Sequence, residues 1–179
     1  MYHYRMKISL DYPRFSKNTL LVVTGEQEAR FFHALGRGLN EIDDFKIAKP
    51  KFTDREGLFA NSSGHGTLLQ RGAGYDNQDE KVKQDFKKSL KQVLAYIARD
   101  YEVEQVYIFA PPQAQPPVLA SFPPNLSGKI SLIFDGDFTQ HHPNILLDKI
   151  DKSNKVQEGF EKNPAIKEEA LKILQRSEK

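Results

Sequence analysis

The sequence predicts an α/β protein built on a mixed β-sheet. Three observations carry that reading: the continuous apolar run Leu20-Leu21-Val22-Val23, one strongly amphipathic helix in the middle of the chain, and two later apolar strands separated by short helical segments. Strands joined by tight turns pair antiparallel, and strands joined through helices need crossovers and pair in parallel, so the sheet contains both kinds of ladder.

Each element has its own signal. Tyr2, Tyr4, Met6, Ile8 and Leu10 alternate with polar residues, the pattern of a half-buried strand ended at Pro13. Leu20 to Val23 has no polar face, as expected of a central strand covered on both sides. Gly25-Glu26 makes a turn, Ala29 to Leu35 a second strand, Gly36-Arg37-Gly38 another turn, and Leu39 to Ile47 a third strand stopped by Pro50. Farther on, Val82, Phe86, Leu90, Val93, Leu94 and Ile97 form one helical stripe, with Lys81, Lys83, Lys87, Lys88 and Lys91 expected to cover the opposite face. Asp76 or Asn77 is the expected cap of that helix. Val106 to Ala110 reads as a buried strand ended by two prolines, Val118 to Phe122 as one or two helical turns, Ile130 to Phe134 as another buried strand, and His142 to Ile150 as a short helix with Pro143 early in it. From Asp151 the composition turns to Lys, Glu, Asn and Gln, as in a linker, before a last helix capped at Asn163-Pro164. The expected organisation is a strand extension over 1–17, one α/β domain over 18–150, and a linker with a helix over 151–179.

Composition narrows the chemistry. With no cysteine among 179 residues there is no disulfide, thiolate zinc site or cysteine nucleophile. The longest uncharged apolar run, Thr19 to Gly25, is far too short to cross a bilayer, and the alternating N-terminus lacks the apolar core of a signal peptide. These features fit a cytoplasmic protein with no membrane partner. The formal charge of +2 does not by itself imply nucleic acid.

The stretch Gly57–Gln78 stands out, because it holds five of the eleven glycines and has neither a helical nor a strand period. A loop of this length in a compact domain is either functional or disordered, and it is expected to be mobile. The flanking segment 46–71 carries Lys46, Lys49, Lys51, Arg55 and Arg71 against Asp54 and Glu56, a local charge of +3. Gly64, His65 and Gly66 expose backbone amides, and Gln70 follows. These residues suit an RNA or phosphate surface. No P-loop lysine is present, and no motif requires a cofactor.

Other groupings are possible sites. Asp135, Asp137 and His142 follow the end of a strand and together have the donor types of a divalent-metal hydrolase or nuclease; the simpler role for Asp137 and His142 is to cap turns. Ser62, Ser63 and His65 are a nucleophile and base in name only, lacking a strand–turn–helix context. The lysine face of the long helix can meet phosphate or be merely solvated. The strand Tyr2–Leu10 packs on its own sheet or pairs with a second copy in a homodimer.

Four segments in this order, LLVVTGEQEARFFHA, FKKSLKQVLAYIARD, VEQVYIFAPPQ and FDGDFTQHHPNILLDKI, resemble the bacterial host attachment proteins, which are similar to the central domain of archaeo-eukaryotic peptide-chain release factors. The resemblance covers about Asn18 to Ile150. It implies a ribonuclease-H-like fold and contact with RNA or the ribosome. In release factors the matching loop bears a Gly-Gly-Gln motif that helps hydrolyse peptidyl-tRNA; here Gly64-His65-Gly66 stands in its place, so the resemblance implies contact without that hydrolysis.

Overall fold

The computed structural model describes residues 5–12, 14–48 and 73–162. The chain opens with β1 (Arg5–Lys7), β2 (Phe15–Thr24), β3 (Glu28–Gly36) and β4 (Gly38–Lys46). Helix α1 (Ala73–Asp100) leads to β5 (Gln105–Ala110). Two short helices, α2 (Gln115–Leu119) and α3 (Pro124–Ser127), precede β6 (Ile130–Asp135), and α4 (Pro143–Lys162) follows.

The six strands form one sheet in the order β1-β4-β3-β2-β5-β6. β2, β3 and β4 are an antiparallel meander, whereas β5 and β6 run parallel to β2. The order β4-β3-β2-β5-β6, three antiparallel strands followed by two parallel ones, is ribonuclease-H-like. The mixed sheet expected from the connections is therefore present.

β2 lies inside the sheet between β3 and β5 and, like β5, has no polar face over its second half. Leu20 and Val22 point to one side and join Phe31, Ile108 and the α1 stripe of Phe86, Leu90, Leu94 and Ile97. Leu21 and Val23 point to the other and join Phe32, Tyr107, Phe109 and the α4 residues Leu146, Leu147 and Ile150. The result is three layers, α1 on the sheet on α4, with each apolar face covered. Phe109 stacks on Phe134 with centroids 4.5 Å apart and meets Phe138 edge-on at 5.6 Å. Gly136, at φ 131°, lets the chain leave β6 closely over Phe138: a Cβ there would lie 2.9 Å from the ring.

Four expectations change. β6 is an edge strand with one neighbour, so only alternate residues are covered and Ile133 is 40% exposed, where a buried strand was expected. α1 begins at Ala73, placing Asp76 and Asn77 inside the helix instead of at its cap and shortening the glycine-rich stretch by six residues; once a packed stripe nucleates a helix, each further residue adds a hydrogen bond at little cost. α4 continues from Ile150 through Lys162, across residues with the composition of a linker. β1 closes at Lys7; Ile8 beyond it is buried in the α4-side core, with its N–H donating to Arg37 O, whereas Leu10 is 81% exposed in a turn. Residues 57–72, the helix expected after Asn163, and Tyr2 and Tyr4 lie outside the described residues.

Candidate nucleic-acid interface

The carboxyl ends of β2, β5 and β6 lie side by side, the edge at which open α/β sheets commonly hold ligands. Here the β2–β3 turn, the segment after β5 and the segment after β6 converge. Gly25 N donates to Glu28 O at 2.9 Å and closes the turn. Glu28 is the hub: its carboxylate accepts from Lys46 Nζ at 2.8 Å, from Thr139 Oγ1 at 2.6 Å and from Gln140 Nε2 at 2.6 Å. Lys46 foremost, then Thr139 and Gln140, hold the Glu28 carboxyl down from 4.5 to about 2.

Asp137 forms the second half of this network. Its Oδ1 accepts from Thr139 N at 3.0 Å and lies 2.6 Å from Thr139 Oγ1, an Asx-type turn. The single hydroxyl proton of Thr139 serves either Glu28 or Asp137 at any moment. Arg30 ties the loop to the sheet, pairing with Glu41 at 2.7 and 3.1 Å while donating to Thr139 O and His141 O. A cleft of about 570 Å³ opens beside this network, walled by Val82 and Phe86 of α1 and by Ala114 and Pro117, with Glu26, Gln27 and Gln113 at its rim.

The residues proposed for hydrolysis are dispersed among structural tasks. Asp135 is exposed and accepts from Gln115 Nε2 at 2.6 Å. Asp137 shapes its turn, and His142 Nδ1 accepts from Asn144 N at 3.3 Å at the start of α4. Among the described residues no group of three or more His, Cys, Asp or Glu side chains is arranged to hold a metal ion. Lys46 is exposed and engaged with Glu28. Lys49, Lys51, Arg55, Gly64, His65, Gly66, Gln70 and Arg71 lie outside the described residues.

The lysine pattern of α1 takes a definite form. Lys81, Lys83, Lys87, Lys88 and Lys91 are all exposed, while the stripe from Val82 to Ile97 is buried in the sheet. Lys81, Lys88 and Lys91 project opposite Phe86 and, at 1.5 Å per residue, extend over about 15 Å. Glu28 and Thr139 escape a reading of the sequence because 111 residues separate them. The Asp137-x-Thr139 spacing was their one local signal.

The family model described as a protein required for attachment to host cells matches residues 20–150. The chain belongs to that family. The host-attachment match runs from β2 into α4 and so includes both layers of helix and the network around Glu28. No curated protein matches the chain. Among solved structures, the host-attachment chain is similar to an archaeal translation termination factor, aRF1 (TM-score 0.45, 10% identity, 89% of this chain and 42% of that one). It is also similar to Dom34 of S. cerevisiae, described as a translation termination-like factor involved in RNA quality control pathways and interacting with Hbs1 (TM-score 0.46, 11% identity, 92% and 42%). A third is described as an archaeal protein (TM-score 0.40, 9% identity, 82% and 40%). The chain spans only 42% of the length of the first two and 40% of the third. Among the described residues, no helix is long and apolar enough to cross a membrane.

Proposed function

We propose that this protein binds RNA, or the ribosome through its RNA, and does so without peptidyl-tRNA hydrolysis. The observation that carries the reading is the row of exposed lysines along α1, a helix that follows directly on the basic segment 46–71. Phosphate binding depends on cationic side chains held where counterions can be released, and a lysine row on a rigid packed helix meets that need. The ribosomal partner comes from the resemblance of the sequence to release-factor domains. The sequence contains no Gly-Gly-Gln, so the chemistry of such a partner is contact. Co-sedimentation with ribosomes at low salt tests this reading, with retention expected for the wild type and loss for variants of Lys49, Lys51 and Arg71. A protein that stays in the supernatant at low salt refutes it, because phosphate contacts are strongest there.

A second reading concerns assembly. β1 is the outermost strand on its side of the sheet, with only β4 beside it among the described residues, and an open strand edge pairs readily with a second copy. On this reading the Tyr2–Leu10 segment joins two protomers. Sedimentation equilibrium distinguishes the cases: a monomer at high concentration excludes the dimer.

A further inference from the structure

We propose that the pocket at the amino-terminal edge of β2 and β5 binds a single tetrahedral oxyanion, a phosphoryl group present either as free phosphate or at the end of an RNA chain. This site lies apart from the lysine row: its buried residues Phe15, Tyr107 and Ile150 belong to the α4 side of the sheet, whereas α1 packs on the other side. The cavity measures about 110 Å³ and is lined by Arg14, Ser16, Thr19, Gln105, Tyr107 and Asn154. That is room for roughly three or four waters and well below the size of pockets that take whole drug-like ligands, so one compact group fills it.

The lining chemistry selects an anion. No Asp or Glu lines the pocket, and its one ionised group is the Arg14 guanidinium. Among the described residues Arg14 has no carboxylate partner, so its fork of donors is uncommitted. Ser16, Gln105 and Asn154 add neutral donors, while Thr19 has already given its proton to Lys17 O at 3.0 Å. Tyr107 is 7% exposed, and burial raises its phenol pKa, so the hydroxyl keeps its proton and remains a donor at neutral pH. Arg14 is exposed just before β2, Ser16 is exposed on β2, and Gln105 and Tyr107 stand on β5 beside the Thr19–Gln105 ladder pair, with Asn154 on α4. One guanidinium with neutral donors lining the same cavity and no competing carboxylate is a lining chemistry that suits an oxyanion.

Calorimetric titration with inorganic phosphate at constant ionic strength, with chloride as control, tests the proposal. Saturable one-site binding is expected, weakened about tenfold or more in Arg14→Gln and by a smaller factor in Tyr107→Phe, which keeps the ring in its place. The Lys81→Gln/Lys88→Gln/Lys91→Gln variant should bind phosphate as the wild type does even where it loses ribosomes, so the two sites fail independently. A 5′-phosphorylated oligoribonucleotide compared with its 5′-hydroxyl twin identifies the source: an Arg14-dependent preference supports an RNA end, and equal binding of the two alongside saturable free phosphate supports the small anion. Absence of saturable phosphate binding, or binding unchanged by Arg14→Gln, overturns the proposal.

Discussion

Gly25 and Asp137 meet across the carboxyl edge of the sheet so closely that a Cβ on Gly25 would lie 2.9 Å from Asp137 Oδ2. Asp137 has little freedom to withdraw, because its other oxygen is fixed by the backbone and hydroxyl of Thr139. Gly25→Ala is therefore expected to destabilise the fold by about 1–3 kcal/mol through overpacking. Combining it with Asp137→Ala should cost less than the sum of the two single changes, since the clash is gone. Denaturant unfolding of the four proteins measures the coupling; strict additivity would show that the contact is harmless.

The depressed Glu28 carboxyl makes a pH prediction of definite sign. Its folded value of about 2 lies below the ordinary 4.5, so the stabilisation is complete above pH 4.5 and is lost as pH falls toward 2. Part of the network faces solvent, which screens it, so the loss from this group is of order 1 kcal/mol. Glu28→Gln should flatten that part of the stability–pH curve. An acid limb unchanged in the variant would assign the effect to other carboxylates.

Arg30 joins four acceptors that come from distant parts of the chain, two oxygens of Glu41 and the carbonyls of Thr139 and His141. Arg30→Lys supplies a charge but not the planar fork, so it is expected to lose about 2 kcal/mol and to speed amide exchange at 139–141. Full rescue by lysine would show that charge alone suffices.

The two faces of α1 should respond in opposite ways. Leu90, with no exposed surface, is expected to cost about 3 kcal/mol when changed to Ala. The Lys81→Gln/Lys88→Gln/Lys91→Gln variant should leave stability within about 0.5 kcal/mol of wild type. On the RNA-binding reading, the same variant lowers the slope of log affinity against log salt by about 2 units, from three lost phosphate contacts. An unaltered slope would place the RNA surface elsewhere.

The elements with strong periodicity were legible in the sequence. Leu20 to Val23 required cover on both faces and has it, and the stripe from Val82 to Ile97 is the face that α1 buries. The edge position of β6 was not legible, because Ile130 to Phe134 is as apolar as a central strand and only the strand order leaves Ile133 half-covered. The length of α4 was hidden because the residues after Ile150 have the composition of a linker, while the packed residues Leu146, Leu147 and Ile150 lie in its first half. At the candidate sites, Asp137-x-Thr139 was visible as a turn, yet neither Glu28 nor Arg14 carried any local mark.

What the sequence determined by itself, then, was the mixed α/β class, the two-sided central strand, the amphipathic α1 with its lysines outside, and the absence of thiol chemistry. Those properties follow from residue type and short-range period, which act within a few residues. Only the tertiary structure decided that Asp135, Asp137 and His142 serve separate contacts, that Glu28 meets Thr139, and that Arg14 and Tyr107 line the same small cavity. Each of these depends on which strands become neighbours, and that is settled by the burial of both sheet faces at once and not by any local preference.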